Sequence, residues 1–267
     1  MSKFIGHAYF FDGSKEKKEL SLKSSVELVS NGSVDAIILD VLSELEAESF
    51  WQQNTLSEPE SHQHHSLLSA SGVTMGQLQR EVGQKFISKL ASYIANSSIE
   101  NRNHERTGFI KLFREGLDAQ PYLLSGQAEL LIATKRVYKK NISEKFNFLP
   151  HVDNISFARA KELWPVEDPE TQLGAFFLVE GSENDAPFLI WDKVIDSRAE
   201  LDDLASKFGS GDFSDLEGLR KIKLSPKPGQ LTIFSSKRLH AVGQCASQRR
   251  TIGTFLVPHG DRWFLCH

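Results

Sequence analysis

The chain has 267 residues, 40% of them hydrophobic and 25% charged, with a net charge of −4. That is the balance of an ordinary globular protein with its own core, and its mild negative charge creates no field to recruit nucleic acid or an anionic membrane. Two cysteines, Cys245 and Cys266, are too few for a disulfide framework and fit a reducing cytoplasm. The first residues lack the apolar run of a signal peptide, and no stretch approaches the roughly 18 apolar residues of a membrane span.

A short strand is expected near Tyr9-Phe10-Phe11, then a solvated surface segment around the charged residues 15–19. Residues 36–42 are apolar and rich in β-branched side chains, the pattern of a buried strand. Ser43 and Glu46 stand at capping-box spacing, so a helix is expected to begin there. Residues 54–72 hold Pro59, several serines and His62, His64 and His65. Composition predicts a loop, and without a matched ligand set the histidines read as polar surface rather than a metal site. Over 75–94, Leu78, Val82, Phe86, Leu90 and Tyr93 recur at three- and four-residue spacing, an amphipathic helix. A second helix is expected over 108–116. His104-Glu105 lacks the second histidine of a zinc-protease motif and reads as ordinary.

From Glu129 the pattern changes. Strands are expected at 130–134, 137–138, 146–152, 173–180, 187–191, 230–234, 239–242 and 251–257, with a helical excursion or loop over 197–220. Residues 173–180 and 187–191, joined by a polar turn, read as a hairpin. Short strands joined by turns make a sandwich or barrel. The expected fold is α+β, in one domain spanning 1–267. It has a helical block at about 43–120 packed on a jelly-roll core at about 129–258.

Pro150 cannot donate to a ladder, so His151-Val152-Asp153 should sit at a strand end or sheet edge. Alternate side chains of a strand face the same way, so His151 and Asp153 can point together into a barrel interior. Downstream, Pro228-Gly229 turns the chain into a strand, and His240 lies on the next one. Alone, a His-x-Asp triplet is more often a turn or a surface pair, and a lone histidine more often core. Together, two histidines and one carboxylate are the ligand set of a 2-His-1-carboxylate iron site, which leaves positions open for oxygen chemistry.

Arg249 can face the same cavity, and its planar fork suits a carboxylate. Thr251 shares its face. Arg250 faces the other way in a regular strand, but a bulge would exchange the two arginines. Tyr138, Trp191 and Phe176-Phe177 are candidates to line a substrate pocket, although aromatic residues on strands are more often core. Of the basic residues 135–140, Arg136 is the candidate for holding an anionic substrate group, against the alternative of a solvated strand edge.

The combination of His151-x-Asp153, Pro228-Gly229, His240 and Arg249-x-Thr251 resembles the Fe(II)/2-oxoglutarate-dependent dioxygenase superfamily, whose fold is a double-stranded β-helix. The run Arg249-Arg250-Thr251-Ile252-Gly253-Thr254-Phe255-Leu256 is similar to that of free-standing bacterial members, among them amino-acid hydroxylases and indole-alkaloid carbon halogenases. So is the opening strand with its capped helix. The likeness spans roughly residues 35–258 and is specific in the ligand region. It implies His151, Asp153 and His240 as catalytic ligands of Fe(II), with O2 as oxidant. It implies Arg249, with Thr251 and with Arg250 in reserve, as the anchor for the distal carboxylate of 2-oxoglutarate. The halogenases have a small residue where Asp153 stands, leaving room for halide, so a carboxylate here implies hydroxylation with release of succinate and CO2. The expected substrate is a small molecule: an amino acid, a derivative or a natural-product intermediate. A protein side chain or nucleic acid as substrate, or a metal-binding jelly roll without turnover, are the competing readings. A mere metal binder has no need of Arg249-x-Thr251.

Overall fold

The computed structural model describes residues 3–53, 60–62, 65–70, 108–121, 123–124, 128–129, 132–157, 171–182 and 185–266. The chain opens with an antiparallel hairpin, β1 (Lys3–Tyr9) and β2 (Lys15–Ser21), followed by α1 (Leu22–Ser30). The charged segment expected to lie free on the surface is therefore β2, the edge of a sheet. Its lysines and glutamates leave only Leu20 buried, and charge on an edge strand discourages pairing with other chains. Ser21 and Ser24 cap α1 reciprocally at 3.0 Å each way. Next come β3 (Ala36–Asp40) and α2 (Glu44–Gln53). The capping box at the start of α2 forms as expected: Ser43 N–H donates to Glu46 at 2.8 Å and Glu46 N–H to the Ser43 hydroxyl at 3.4 Å.

The loop expected over 54–72 is corrected by β4 (Glu60–His62) and β5 (His65–Ala70), which pair antiparallel. Polar composition hid them; Leu68 is buried in the inter-sheet core. The helix expected over 75–94, along with His64, His104 and Glu105, lies outside the described residues. α3 (Gly108–Leu117) appears where expected, followed by the short β6 (Gln120–Pro121), β7 (Leu123–Leu124) and β8 (Ala128–Glu129).

The remainder is β9 (Thr134–Tyr138), β10 (Asn141–His151), β11 (Leu173–Glu180), β12 (Phe188–Val194), α4 (Arg198–Gly209), β13 (Lys221–Leu224), β14 (Gln230–Ser235), β15 (Arg238–Cys245), β16 (Arg249–His259) and β17 (Arg262–Cys266). These strands divide between two sheets. The large one runs β2-β1-β3-β14-β11-β16-β9-β5-β4, with β17 on β16, and the small one runs β10-β15-β12-β13. From β9 to β16 the chain passes back and forth between them, the wiring of a jelly roll. The hairpin expected between 173–180 and 187–191 does not form. Both edges of β11 are occupied, by β14 and β16, so β12 crosses to the other sheet and pairs with β13 and β15. The β11 ladder with β14 is regular, whereas β10 meets β15 with three register shifts between Asn141 and His151.

The pleat sorts side chains into layers. On β11, Phe177 points outward beneath Trp51 of α2 and Phe109 and Phe113 of α3, whereas Phe176 points inward against Phe188 and Phe234. Burial on both faces explains why 173–179 is a continuous apolar run rather than an alternating one. Each fully buried Phe contributes on the order of 1.5–3 kcal/mol. A third cluster, Phe146, Trp191 and Leu239 with Leu204 and Phe208 of α4, covers the outer face of the small sheet.

Gly229 fastens three strands at one point. Its carbonyl accepts from Val41 and Leu42 at 3.2 and 2.9 Å, and its N–H donates to Leu178 O at 2.9 Å. Its φ is +90°, and a Cβ there would lie 2.2 Å from Leu42 O. Gly229→Ala is expected to lower stability by more than the ~1–3 kcal/mol of the left-handed conformation alone. Gly13→Ala, with φ +87° and open space around it, is expected to cost only that conformational part. Urea unfolding of the two variants measures the difference.

Candidate active site

β10 runs antiparallel beside β15, and the ladder sets His151 directly opposite His240. Cross-strand partners face the same side of a sheet, so both imidazoles point between the two sheets. Asp153, just beyond the end of β10, completes the group: one ligand atom from each of the three residues lies within 4.8 Å of the others. Each ring has its Nδ1 2.8 Å from a carbonyl two residues earlier, Leu149 O for His151 and Arg238 O for His240. A carbonyl only accepts, so each Nδ1 carries the hydrogen and each Nε2 presents a lone pair. Those Nε2 atoms stand 3.7 and 3.3 Å from Asp153 Oδ2. Lone pairs facing a carboxylate oxygen attract only through a cation held between them.

Protonation agrees with that demand. Burial, then the neighbouring His240, lowers the pKa of His151 to about 3, with Asp153 only partly opposing. Burial pushes the Asp153 carboxyl up, but the two imidazoles and Arg136 outweigh it and hold it below the usual carboxylate range. A neutral imidazole at His151 and a carboxylate anion at Asp153 are donor states a metal requires.

The three residues line a cavity between the sheets. Part of its wall is aromatic: the rings of Phe188 and Phe234 lie 4.6 Å apart, those of Phe176 and Phe188 5.0 Å, and Phe234 stands 4.9 Å from the His240 ring. Arg249 also lines this space. Only 3% exposed, its guanidinium sits 5.3 Å over the Phe176 ring and donates to Ala186 O. Its Nε has no partner, and no carboxylate among the described residues forms an ion pair with it. Burial lowers its pKa, with Tyr138, Cys245 and Asp185 opposing, and arginine keeps its charge. A buried cation with an unused N–H is costly until an anion completes it.

Thr251 lines the cavity two residues on, facing Arg136 across the β9–β16 ladder. Arg250 points to the opposite side, where it pairs with Glu48 and Glu180 and lies 5.2 Å over Trp51. The ladder is irregular beside this pair, but the extra residue, Val179, is on β11. The pleat of β16 is thus undisturbed, and of the two arginines Arg249 is the one facing the cavity. Arg136 and Tyr138 line the cavity; Trp191 does not. Trp191 lies on the outer face of the small sheet, 6.1 Å from the Phe146 ring, because its neighbour Ile190, opposite His240 in the ladder, takes the inward position. Phe148, Phe188 and Phe234 also line the cavity, and sequence reasoning passed over them. Phe148 and Phe188 both pair with Val242, which shares the parity of His240 on β15, and Phe234 enters from β14 of the facing sheet; both signals become visible only once the strand pairing is known.

No protein-family model matches the chain, and no curated protein does. Among solved structures, an N-substituted L-amino acid dioxygenase from Burkholderia ambifaria AMMD is 34% identical, with a TM-score of 0.86 and 99% of each chain covered. The same enzyme in complex with α-ketoglutarate (2-oxoglutarate) is similar at 34% identity and a TM-score of 0.84, over 100% of this chain and 99% of that one. The chain belongs to the Fe(II)/2-oxoglutarate-dependent dioxygenases. Iron and 2-oxoglutarate are its cofactors, and the residues fit both. The triad offers two imidazoles and a carboxylate, the donor types iron takes, and the buried Arg249 with its unused N–H suits a carboxylate.

An imidazole that titrates near 6.5 in the unfolded chain and at about 3 when folded binds its proton preferentially in the unfolded state throughout that window. The metal-free dioxygenase is therefore expected to lose stability as pH falls from about 6.5 towards 3. Urea unfolding of His151→Gln is expected to show a shallower dependence on pH over the same interval.

Proposed function

We propose that this dioxygenase hydroxylates an unactivated C–H bond of a small amino-acid derivative. In this reading His151, Asp153 and His240 hold the iron, and Arg249 with Thr251 holds the far carboxylate of 2-oxoglutarate. One observation carries the reading. Two imidazoles locked through Nδ1 converge with a carboxylate at one part of an aromatic cavity, and a buried, under-bonded guanidinium waits in another. The balance is R–H + O2 + 2-oxoglutarate → R–OH + succinate + CO2.

Iron, when bound, supplies the activation of O2 and the oxidising power. The chain's own residues supply placement. Leu149 O and Arg238 O keep the two Nε2 lone pairs aimed inward. Asp153 takes the position that a halide would need, which favours oxygen insertion. Arg249 and Thr251 hold the co-substrate by its distal end, so that its reacting end reaches the triad. The rings of Phe176, Phe188 and Phe234 keep water from that end of the cavity.

The relative's action on N-substituted L-amino acids supports an amino-acid derivative as substrate, with Arg136 and Tyr138 as its contacts in the cavity. We place the reaction in the cytoplasm, in a single domain. Both cysteines are free and buried, and no helix among the described residues is long and apolar enough to cross a membrane.

Succinate release over a panel of N-substituted and free amino acids tests the reaction. Iron-dependent succinate is expected with the N-substituted compounds, and its absence under every condition, coupled or uncoupled, contradicts the proposal. Asp153→Ala is expected to abolish hydroxylation. Arg249→Gln is expected to weaken 2-oxoglutarate binding by about 2–5 kcal/mol, the typical loss for one partner of a buried charge pair, with iron affinity unchanged. Titrating each cofactor separately checks both halves of that statement.

A further inference from the structure

Asp153 lies beyond the last residue of β10, so no strand ladder holds it. Its backbone is held instead by the turn between β14 and β15. Asp153 N–H donates to Ser236 O at 3.0 Å, and the Ser236 hydroxyl donates to Asp153 O at 2.9 Å. Ser236 thus grips both the N–H and the carbonyl of Asp153, through its own carbonyl and its hydroxyl. Ser236 is completely buried and is itself moored: its N–H donates to Gln172 O at 3.1 Å, and its hydroxyl lies 3.3 Å from the same carbonyl. Gln172, also buried, accepts from Ile155 N–H through its side chain at 2.8 Å. Residues 153 and 155 are therefore tied to 236 and 172 by several bonds, of which those to Gln172 are buried.

The same turn orients the histidine on β15. Two residues after Ser236, Arg238 O accepts from His240 Nδ1 at 2.8 Å. The Arg238 side chain is pinned by Asp192 at 2.6 Å and lies 4.7 Å over the Phe11 ring. One short stretch of backbone, 236–238, therefore touches both Asp153 and His240. It sets the distance between two groups that the fold brings in from different strands.

We infer that Ser236 is a positioning residue for the metal centre. Its hydroxyl fixes the peptide of Asp153, and so the place of the carboxylate relative to His240. A buried hydroxyl needs acceptors, and both of its acceptors, Asp153 O and Gln172 O, bear on the carboxylate's segment. This inference rests on the proposed role of Asp153 as a ligand. Groups that orient metal ligands typically change metal affinity by ~10–100-fold when removed, and that is the effect expected here.

The test is equilibrium binding of Co(II) to the metal-free protein, followed by its visible absorption, beside thermal unfolding of the same metal-free samples. Ser236→Ala is expected to weaken Co(II) binding by ~10–100-fold, and Ser236→Thr, which keeps the hydroxyl, to restore it. Gln172→Met, which loosens the same segment through Ile155, is expected to weaken binding to a smaller degree. It carries the test if Ser236→Ala does not fold. Binding of 2-oxoglutarate to the Co(II)-saturated variants is expected to match wild type. Wild-type Co(II) affinity in folded Ser236→Ala and Gln172→Met, with only a lower melting temperature, overturns the inference and leaves these residues a purely structural role. Asp153→Ala separates the two layers. If it loses Co(II) while Ser236→Ala keeps it, only the positioning role falls. If Asp153→Ala itself keeps wild-type affinity, the ligand assignment falls and the inference with it.

Discussion

The structure is organised around a set of groups that do not attract one another. Two imidazole lone pairs and a carboxylate oxygen are held within 4.8 Å, each turned toward the others. Left to itself, such a cluster separates or takes up a proton. The protein prevents both. The β10–β15 ladder fixes the two rings side by side, 4.3 Å apart and tilted by 54°, two carbonyls hold the tautomer, and burial suppresses protonation of His151. Local tension at a functional site of this kind persists only when the surrounding structure over-determines it.

That over-determination comes from the layers. Helices α1, α2 and α3 cover one face of the large sheet, the inter-sheet core fills the other, and α4 backs the small sheet. The adjacent arginines show how finely the layers divide labour. Arg249 and Arg250 differ by one step along β16. The first is sealed in with an unused N–H, and the second is saturated by Glu48 and Glu180 on the helix side. Lys135, one strand over, shares the Trp51 ring with Arg250 at 4.8 Å, so helix α2 is clasped by charge as well as by apolar contact. Identical side chains meet a cavity on one face and paired carboxylates on the other, and only the pleat decides which.

Much of the site was legible in sequence because its signals are local. His151-x-Asp153 depends on a two-residue period, Ser43 and Glu46 on one turn of helix, and the parity of Arg249 with Thr251 on a regular strand. Phe177 and Phe176 announced a buried strand for the same reason. What stayed hidden depends on pairing. The crossing from β11 to β12 looked like a hairpin because a polar turn joins two apolar runs, and nothing local reveals that both edges of β11 are already taken. Trp191 looked like a cavity residue because its composition suits one, yet its parity with His240 places it on the far side of the sheet. Strand β2 was obscured because an edge strand exposes most of its side chains, and β4 and β5 because their residues are polar, so all three resemble loops in composition.

The irregular ladder of β10 has a further consequence. β11 and β14 meet without a slip, whereas β10 reaches His151 only after three shifts of register. A ladder that already accommodates extra residues can take up another without dragging its far end along, and the bonds around Ser236 and Leu149 anchor that end separately. An added residue in the outer part of β10 can therefore be absorbed by its ladder, while the His151 end keeps its own anchors.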